Sequence, residues 1–462
     1  MVRLPPRTGL RVLMFGQYFL MGAWGVTLAT WLLSVPDSRG LNFSAVQTGW
    51  IYSTLAIAGI VAPPFIGSLT DRLFDVRKLL IALFIFGGGL LLFVADYADT
   101  RQKVIAEVWT THAADELVGG RPLTSLSPEE RASPEFRTEV RIALERLSRH
   151  PEIESAIDDT FFWLWLLLQV YSITNVITMT SGNLITMRNL ASPRREFGRV
   201  RLYGTLGWIV SGVAVGLSGR AVSPMPLVLA GSTSILVGVW CLLLPETPPT
   251  GRHRSFREIS GVSSLGSFLR DRSMRVLLIC SFLLSVLQQF YSIYANKFLT
   301  DLHAPFPTAV QTIAQVAEIA CMACFAYALR HLGLKRLMLI GIGGWFLRYS
   351  LFATGVVPLV VVLGLPLHGL SYTFFFMVVG ICLDERSHAD NRGSTQAIVT
   401  FTSAGAGTLV GNALASRIVE WYTFGDATRW TMVWAIPAGL SLLVLIGFAV
   451  FFHEVEPTRE AD

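Results

Sequence analysis

Twelve long apolar stretches, separated by short polar loops, constrain this chain more than any other feature. A bilayer core of ~30 Å requires ~20 apolar residues in a helix. Of the 462 residues, 52% are hydrophobic and only 15% are charged, whereas soluble proteins carry about 25% charged residues. We therefore predict twelve membrane-spanning helices (spans 1–12). The predicted ranges are Arg11–Val35, Gly49–Leu69, Lys78–Tyr97, Phe161–Ile185, Phe197–Leu217, Met225–Leu244, Met274–Leu299, Val310–Leu329, Leu337–Thr354, Pro358–Leu383, Ala397–Tyr422 and Thr431–Phe452.

The loops predict the orientation of the chain in the membrane. Cytoplasmic loops are enriched in Lys and Arg, and here the basic residues fall mostly in the loops that follow even-numbered spans. They include Arg72, Arg77, Lys78, Arg188, Arg194, Arg195, Arg199, Arg252, Arg254, Arg257, Arg330, Lys335, Arg336, Arg386 and Arg392. This pattern predicts a multi-pass protein of the cell (inner) membrane with both termini in the cytoplasm and an uncleaved first span. The net charge of +5 is explained by this topology, so we expect no nucleic-acid partner.

The chain divides into two halves of six spans each. We predict an N-terminal half over residues 1–244, a cytoplasmic linker over 245–272 and a C-terminal half over 273–462. A weak repeat supports the division, because the loop Gly67–Arg72 has a basic counterpart at Arg330–Arg336. Two six-helix halves around a midplane site are typical of major facilitator transporters. The loop Gly67–Arg72 also resembles the cytoplasmic motif of that superfamily, without the usual glycine after the Arg.

One polar segment interrupts this plan between spans 3 and 4. Arg101–Thr160 contains eight basic and twelve acidic residues, too many for a membrane span, and the topology places it outside the cytoplasm. Ser133–Glu135 is typical of a helix start. Phe136, Val140, Leu144 and Leu147 then recur at helical spacing, which predicts a small amphipathic helix. We interpret the insertion as a solvated cap over the outer mouth; a partner-binding or substrate-capturing role is the alternative.

The polar residues inside the predicted spans are the candidate functional residues, because such groups are costly in a bilayer and usually functional or paired. The alternatives are an ion pair of Glu318 with Arg348, snorkelling of Arg201 to the cytoplasmic surface, an interhelical hydrogen bond for His368, and packing for Gln17 and Trp24. Amides, a carboxylate, a guanidinium and aromatic rings together suit a polar ligand with a flat ring. The candidates are Gln17, Trp24, Arg201, Thr205, Trp208, Gln288, Gln289, Ser292, Asn296, Gln315, Glu318, His368 and Tyr372.

The sequence contains no pattern that indicates an enzyme. The pair Cys321 and Cys324 has redox-motif spacing but lies in an apolar span, where small packing thiols are expected. Gly405–Gly411 resembles a dinucleotide loop only superficially and is typical of close helix packing. No phosphate loop and no metal-spaced histidine cluster occur. We therefore expect no cofactor and no metal.

Several segments together resemble the bacterial nucleoside permeases, the nucleoside:proton symporters of the major facilitator superfamily. The resemblance runs through nearly all of the membrane domain and excludes the insertion. The similar segments are Phe15–Trp24, Gly49–Ala58, Arg201–Trp208, Gln315–Glu318, Trp345–Arg348 and Arg392–Gln396.

The resemblance implies a major facilitator fold and a secondary active transporter that imports nucleosides by proton symport with alternating access. It implies substrate contacts at Arg201, Thr205, Trp208, Gln289, Ser292, Gln315, Glu318, His368 and Tyr372. Three residues depart from the family pattern: Ser292 replaces an Asn, His368 replaces a Tyr, and Thr373 replaces an acidic residue. Glu318, with His368, is therefore predicted to carry the transported proton.

The expected partners are a nucleoside, a proton and the lipid bilayer, with the protein acting as a monomer. Two other functions remain open from the residues alone. A sugar symporter or drug exporter of the same superfamily would use similar polar side chains. A membrane sensor that uses the insertion would transport nothing.

Overall fold

The computed structural model describes residues 6–133, 135–249, 270–386, 398–425 and 427–453, and they are predominantly helical. Residues 250–269 of the predicted linker and the motif Arg392–Gln396 lie outside the described residues. In the N-terminal half the helices are Pro6–Trp24, Leu28–Leu33, Ala45–Val61, Pro63–Ser68, Val76–Ala113, Pro128–Ala132, Arg137–Ser148, Pro151–Asn189, Pro193–Leu217 and Met225–Trp240.

The C-terminal half alternates α-helices with short π-helical segments. Its α-helices are Arg272–Asp301, Pro307–Gln311, Ile313–Ala353, Leu367–Tyr372, Val378–Arg386, Thr408–Trp421 and Trp430–Phe451. The π-helical segments are Leu359–Gly364, Thr373–Met377 and Phe401–Gly407. They lie in spans 10 and 11.

Within the described residues, ten helical segments are long and apolar enough to cross a membrane. Ala45–Val61, span 2, is apolar but has only 17 residues. The segment Pro307–Ala353 has 47 residues and contains predicted spans 8 and 9. Gly333 divides it with φ 75° and ψ 170°, a conformation that glycine adopts without steric cost. The helices are therefore consistent with the twelve predicted spans.

Short polar side chains fix where several spans begin. The Ser44 side chain accepts a hydrogen bond from the Gln47 backbone N–H, and the Gln47 side-chain oxygen accepts one from the Ser44 backbone N–H. This capping box satisfies N–H groups that have no partner within the helix. Asp75 and Asp271 cap spans 3 and 7 by accepting backbone N–H groups of the first turn through their carboxylates, without a reciprocal bond. Spans 3 and 7 begin within two residues of their predicted starts.

Buried apolar residues form two large clusters that follow the two halves. One cluster extends from Leu10 to Leu244. The other extends from Met274 to Phe452 and includes Ala29 and Ala45 of the N-terminal half. Each half therefore has its own core, and they touch where Ala29 and Ala45 lie.

Most hydrogen bonds between described residues of the two halves lie toward the end of the molecule that carries the insertion, and one, from Asn412 Nδ2 to Ser53 Oγ at 3.3 Å, lies deeper in spans 11 and 2. Thr30 donates to Asn296 Oδ1 at 2.8 Å. Glu420 Oε2 accepts from the Ala45 backbone N–H at 2.8 Å, where a carboxylate also complements the dipole of the helix that begins there. Tyr294 bonds the Ala45 carbonyl oxygen at 3.1 Å. The halves are thus joined at the insertion end.

The insertion extends spans 3 and 4 beyond the membrane. Their helices have 38 and 39 residues, about 57 Å each, against a hydrocarbon core of ~30 Å. Between them lie a hairpin of β1 (Leu117–Val118) and β2 (Arg121–Pro122) and two short helices. The polar composition of this segment is explained by its position outside the apolar spans.

The amphipathic helix of the insertion is confirmed, but its predicted start is wrong. The helix covers Arg137–Ser148 and buries Val140, Leu144 and Leu147. Ser133 instead ends the preceding helix. That helix has its own capping box, because Ser127 and Glu130 exchange side-chain and backbone hydrogen bonds. The amphipathic helix itself begins four residues after Ser133, with Phe136 as its N-cap residue and no side-chain capping bond.

The insertion contacts both halves. Ser148 accepts a hydrogen bond from Asn42 at 3.3 Å, in the loop between spans 1 and 2. On the other side Arg141 packs against Gly425, in the hairpin of β3 (Thr423–Phe424) and β4 (Ala427–Thr428). A Cβ at Gly425 would lie 2.5 Å from Arg141 Cγ, and its φ is +63°. The insertion therefore spans the boundary between the halves.

Candidate functional site

Spans 5 and 8 bring two opposite charges to the boundary between the halves. Arg201, in span 5, stacks its guanidinium over the ring of Tyr18, with the central carbon 3.7 Å from the ring centre. Glu318, in span 8, is half-buried and interacts electrostatically with Arg201. It forms no ion pair with another described side chain. Arg201 therefore faces the interior of the protein instead of snorkelling.

Span 10 approaches span 8 closely because Gly369 has no side chain. A Cβ at Gly369 would lie only 2.2 Å from the Glu318 backbone nitrogen. Tyr372, one turn later, interacts electrostatically with Glu318, Arg201 and Tyr18. Its side chain nevertheless remains 41% exposed. Since its neighbours belong to both halves, the exposed ring faces the space between them.

Gln315 completes this group of polar residues. It lies one turn before Glu318 and is half-buried. Among the described residues its side-chain amide has no hydrogen-bond partner. We call Tyr18, Arg201, Gln315, Glu318 and Tyr372 the central cluster. Its amide and carboxylate groups are available for a ligand.

A second polar group surrounds Arg348 in span 9, and its members bond each other. The Arg348 side chain is fully buried. Its guanidinium donates to His368 Nδ1 at 2.6 Å, to Gln288 Oε1 at 3.2 Å and to the Tyr349 hydroxyl at 3.0 Å. Trp345 Nε1 also donates to Gln288 Oε1, at 3.3 Å. We call these five residues the arginine network.

The arginine network fixes the state of His368. A guanidinium can only donate, so Nδ1 accepts and the proton of a neutral imidazole sits on Nε2. The ring also stacks on Tyr291, with centres 4.8 Å apart, and on Tyr372, with centres 5.9 Å apart. His368 thus has the interhelical hydrogen bond that was the sequence alternative. It also joins the arginine network to the central cluster.

The alternative ion pair between Glu318 and Arg348 is not present. Arg348 bonds neutral groups of spans 7 and 10, whereas the charge that Glu318 meets is Arg201 of the other half. The sequence placed both residues at mid-depth but could not determine which helix each one faces.

The predicted residues of span 7 have partners within the protein. Gln289 Nε2 donates to the Ser285 carbonyl oxygen at 3.2 Å and to Thr408 Oγ1 of span 11 at 3.5 Å. Ser292 donates to the Gln288 carbonyl oxygen at 3.1 Å. Asn296 bonds Thr30 across the halves. Span 7 therefore contributes to helix packing and to the junction of the two halves at the insertion end.

The predicted residues of spans 1 and 5 differ in burial. Thr205 and Trp208 are half-buried on the same span as Arg201. Gln17 is fully buried and donates to the Met179 carbonyl oxygen at 3.1 Å, which agrees with packing. Trp24 packs edge-on against Tyr171, with ring centres 5.7 Å apart.

Sequence reasoning missed two aromatic residues that shape the site. Tyr18 lies beneath Arg201. Tyr291 packs against both His368 and the Arg348 guanidinium, whose central carbon is 4.6 Å from the Tyr291 ring centre. Tyrosines inside apolar runs carry little polar signal. The spacing of Tyr291 from Gln288, one helical turn, could have indicated it.

The chain matches the family model described as nucleoside H+ symporter over residues 7–108 and 153–457. The unmatched interval lies within the insertion. The putative nucleoside transporter YegT of Escherichia coli (strain K12) is 29% identical over 465 residues, covering 96% of this chain and 93% of that protein. The xanthosine permease of the same organism is 22% identical, covering 97% of each.

Solved structures show the same fold. The nucleoside transporter NupG superimposes with a TM-score of 0.75 at 21% identity, covering 98% of this chain and 100% of that chain. A POT family transporter superimposes with a TM-score of 0.64 at 12% identity, covering 97% and 96%. The predicted major facilitator fold is therefore confirmed, and the chain belongs to the nucleoside H+ symporter family.

Proposed function

We propose that this protein imports nucleosides across the cytoplasmic membrane by proton symport, using the central cluster as its binding site. The observation that carries the proposal is the unpartnered Gln315 amide beside Glu318, facing Arg201 across the two halves. A polar group without a partner is costly away from water. A polar ligand between the halves would supply the missing hydrogen bonds.

The chemistry of the central cluster suits a nucleoside. The Gln315 amide can both donate and accept, as the edge of a base requires, and the Glu318 carboxylate can accept from ribose hydroxyls. The exposed Tyr372 ring and the half-buried Trp208 offer flat faces for stacking. The names of the relatives, nucleoside and xanthosine transporters, support the same ligand class.

Thr205, Gln289 and Ser292 belong to the proposed site in a secondary role. Gln289 and Ser292 are already bonded within the protein in this state. Contact of Gln289 with substrate therefore requires the loss of its hydrogen bond to Thr408 of span 11. Ser292 is bonded within its own helix, and its hydroxyl oxygen can still accept a hydrogen bond from a ligand. Thr205 lies one turn from Arg201 and can contribute its hydroxyl directly.

Glu318 is the better of the two proposed proton carriers. A second proton on His368 would have to displace the hydrogen bond from Arg348 to Nδ1 and would place two positive charges in contact. Glu318 has no such restraint. When protonated it can donate a hydrogen bond, and when ionised it attracts Arg201 of the other half. The proton and the nucleoside thereby bias the same two-state element.

We further propose that the two halves, 1–244 and 273–462, rock about the central cluster, with the termini and the linker 245–272 in the cytoplasm. The bonds from Thr30 to Asn296 and from Ala45 to Glu420 join the halves at the insertion end. The insertion would then lie outside the cell, and this state would be closed to the outside. The basic loops of the opposite end support this orientation.

The insertion is expected to stabilise the outward-closed state through its contact with Gly425. Gly425→Ala would strain a left-handed residue by about 1–2 kcal/mol and push against Arg141. Gly219→Ala is the matched control, because Gly219 has φ +66° and nothing lies within 4 Å of its added Cβ. Labelling of a cysteine placed at Thr30 from the outside should rise with Gly425→Ala only. Equal labelling in both variants would show that the contact between the insertion and Gly425 does not stabilise the outward-closed state.

Uptake into a host that lacks its own nucleoside permeases tests the proposed function. Cells that express the protein should accumulate labelled uridine, adenosine or xanthosine, and a protonophore should abolish accumulation. Unlabelled sugars should not compete. Competition by sugars and not by nucleosides would identify a sugar symporter instead. No flux of any solute, in cells or in proteoliposomes, would contradict transport altogether.

A further inference from the structure

A groove of about 750 Å³ runs along the lipid-facing flank of the C-terminal half. Spans 7, 11 and 12 line it, and the central cluster contributes no residue to it. Its walls include Ile279, Leu283, Val410 and Leu443, all of which are exposed apolar side chains. We call it the flank groove. Such walls suit an acyl chain and no polar solute.

Two arginines close one end of the flank groove. Arg272 and Arg275 begin span 7 and are both exposed. Neither forms an ion pair with a described side chain. Asp271, the adjacent acid, accepts hydrogen bonds from the backbone of Ser273 and Met274 and is turned into its own helix end. All the other lining residues are uncharged.

We propose that the flank groove binds one anionic phospholipid. The phosphate would lie at Arg272 and Arg275, and one acyl chain would follow the apolar walls toward Leu440. Guanidinium groups bind phosphate through paired hydrogen bonds. Both arginines lie at the end of the molecule opposite the insertion, at the depth where lipid headgroups of that leaflet lie.

The flank groove shares a helix with the site of nucleoside transport. Val286 and Leu287 form part of its floor and directly precede Gln288 and Gln289. A Cβ at Gly411 of span 11 would lie 2.6 Å from both Gln289 Cγ and the Val286 carbonyl oxygen. A lipid in the groove would therefore press on the contact between spans 7 and 11 from the membrane side.

Two variants and their controls separate headgroup recognition from chain packing. The double variant Arg272→Gln and Arg275→Gln removes the charges, and Arg336→Gln removes an exposed arginine outside the groove. Gly447→Leu fills the groove, because nothing lies within 4 Å of a Cβ added at Gly447. Gly439→Leu is its control, since Gly439 has equally open surroundings on the same helix but does not line the groove.

Native mass spectrometry of the purified full chain, titrated with phosphatidylglycerol or phosphatidylcholine, measures the binding. Wild type should bind one phosphatidylglycerol preferentially. The double arginine variant should lower that affinity about five- to twenty-five-fold, as expected for two basic groups near an anionic headgroup, without changing phosphatidylcholine binding. Gly447→Leu should weaken both lipids.

Three outcomes would overturn the proposal. Wild type could fail to distinguish the two lipids, the control variants could lose as much affinity as the groove variants, or millimolar inorganic phosphate could displace the lipid, which would indicate a site for free phosphate. Unchanged thermal unfolding and a monodisperse elution profile establish that each variant is folded. The result is independent of whether nucleosides are transported.

Discussion

The central cluster and the arginine network lie side by side at the middle of the spans but differ in how their polar groups are satisfied. Arg348 is fully buried and donates to three neighbouring side chains through its terminal nitrogens, while its Nε has no partner among the described residues. Gln315 has no hydrogen-bond partner among the described residues, and Glu318 meets its counter-charge only across the two halves. A satisfied buried network stabilises one arrangement of helices, whereas groups left without partners are available for ligands. The arginine network therefore holds the helices together, whereas the central cluster offers groups to a ligand.

The largest effect should come from Glu318. Glu318→Gln mimics the protonated carboxyl group and cannot release a proton. In proteoliposomes it should abolish accumulation driven by a pH gradient while permitting downhill exchange of nucleoside. Accumulation by the Gln variant in response to an imposed gradient would exclude Glu318 as the proton carrier. A wild type that never responds would make the protein a facilitator, with Glu318 a ligand for ribose or base.

Arg348 should matter for stability more than for ligand contact. Arg348→Met leaves the buried acceptor on His368 without its donor, at about 1–3 kcal/mol, and removes one of the two hydrogen bonds that Gln288 Oε1 accepts. Thermal unfolding in detergent should shift clearly downward. The control, Arg336→Met, alters an exposed arginine and should leave the transition in place. Equal unfolding temperatures for the two variants would show that the arginine network does not stabilise the fold.

Two tyrosines, Tyr349 of the arginine network and Tyr372 of the central cluster, test the same comparison with a smaller expected change in stability. The Tyr349 hydroxyl accepts from Arg348 and donates to the Leu287 carbonyl oxygen at 2.7 Å, so Tyr349→Phe should cost about 1 kcal/mol per lost bond. The Tyr372 hydroxyl has no partner among the described side chains. Tyr372→Phe should therefore leave thermal unfolding unchanged. The reverse order of stabilities would contradict the division into two clusters.

The sequence predicted the extents of the membrane-spanning helices well, but it did not predict which helices are neighbours. Apolar runs and caps such as Asp75 and Asp271 determine where helices begin, and these signals are local. The pairing of Glu318 with Arg201, and of Arg348 with His368, depends on which helices adjoin, and a single sequence does not record that. Periodicity places a residue on a face of its own helix but leaves the opposing helix open.

The insertion shows the same limit at shorter range. Its amphipathic helix followed from the spacing of Val140, Leu144 and Leu147. The helix begins at Arg137 instead of directly after Ser133, and no side chain caps it there. Its contact with Gly425 of the other half could not be predicted. That contact joins segments almost 300 residues apart, and no local pattern encodes it.

The most direct test of the central claim compares Gln315, whose amide has no hydrogen-bond partner among the described residues, with Gln288, whose amide oxygen accepts from Arg348 and Trp345. Calorimetric titration with the best transported nucleoside should show that Gln315→Ala weakens binding about five- to a hundredfold, equivalent to ~1–3 kcal/mol for one lost hydrogen bond, with unchanged thermal unfolding. Gln288→Ala should instead lower the unfolding temperature. Unchanged affinity in Gln315→Ala for every transported nucleoside would contradict the claim that the central cluster is the binding site.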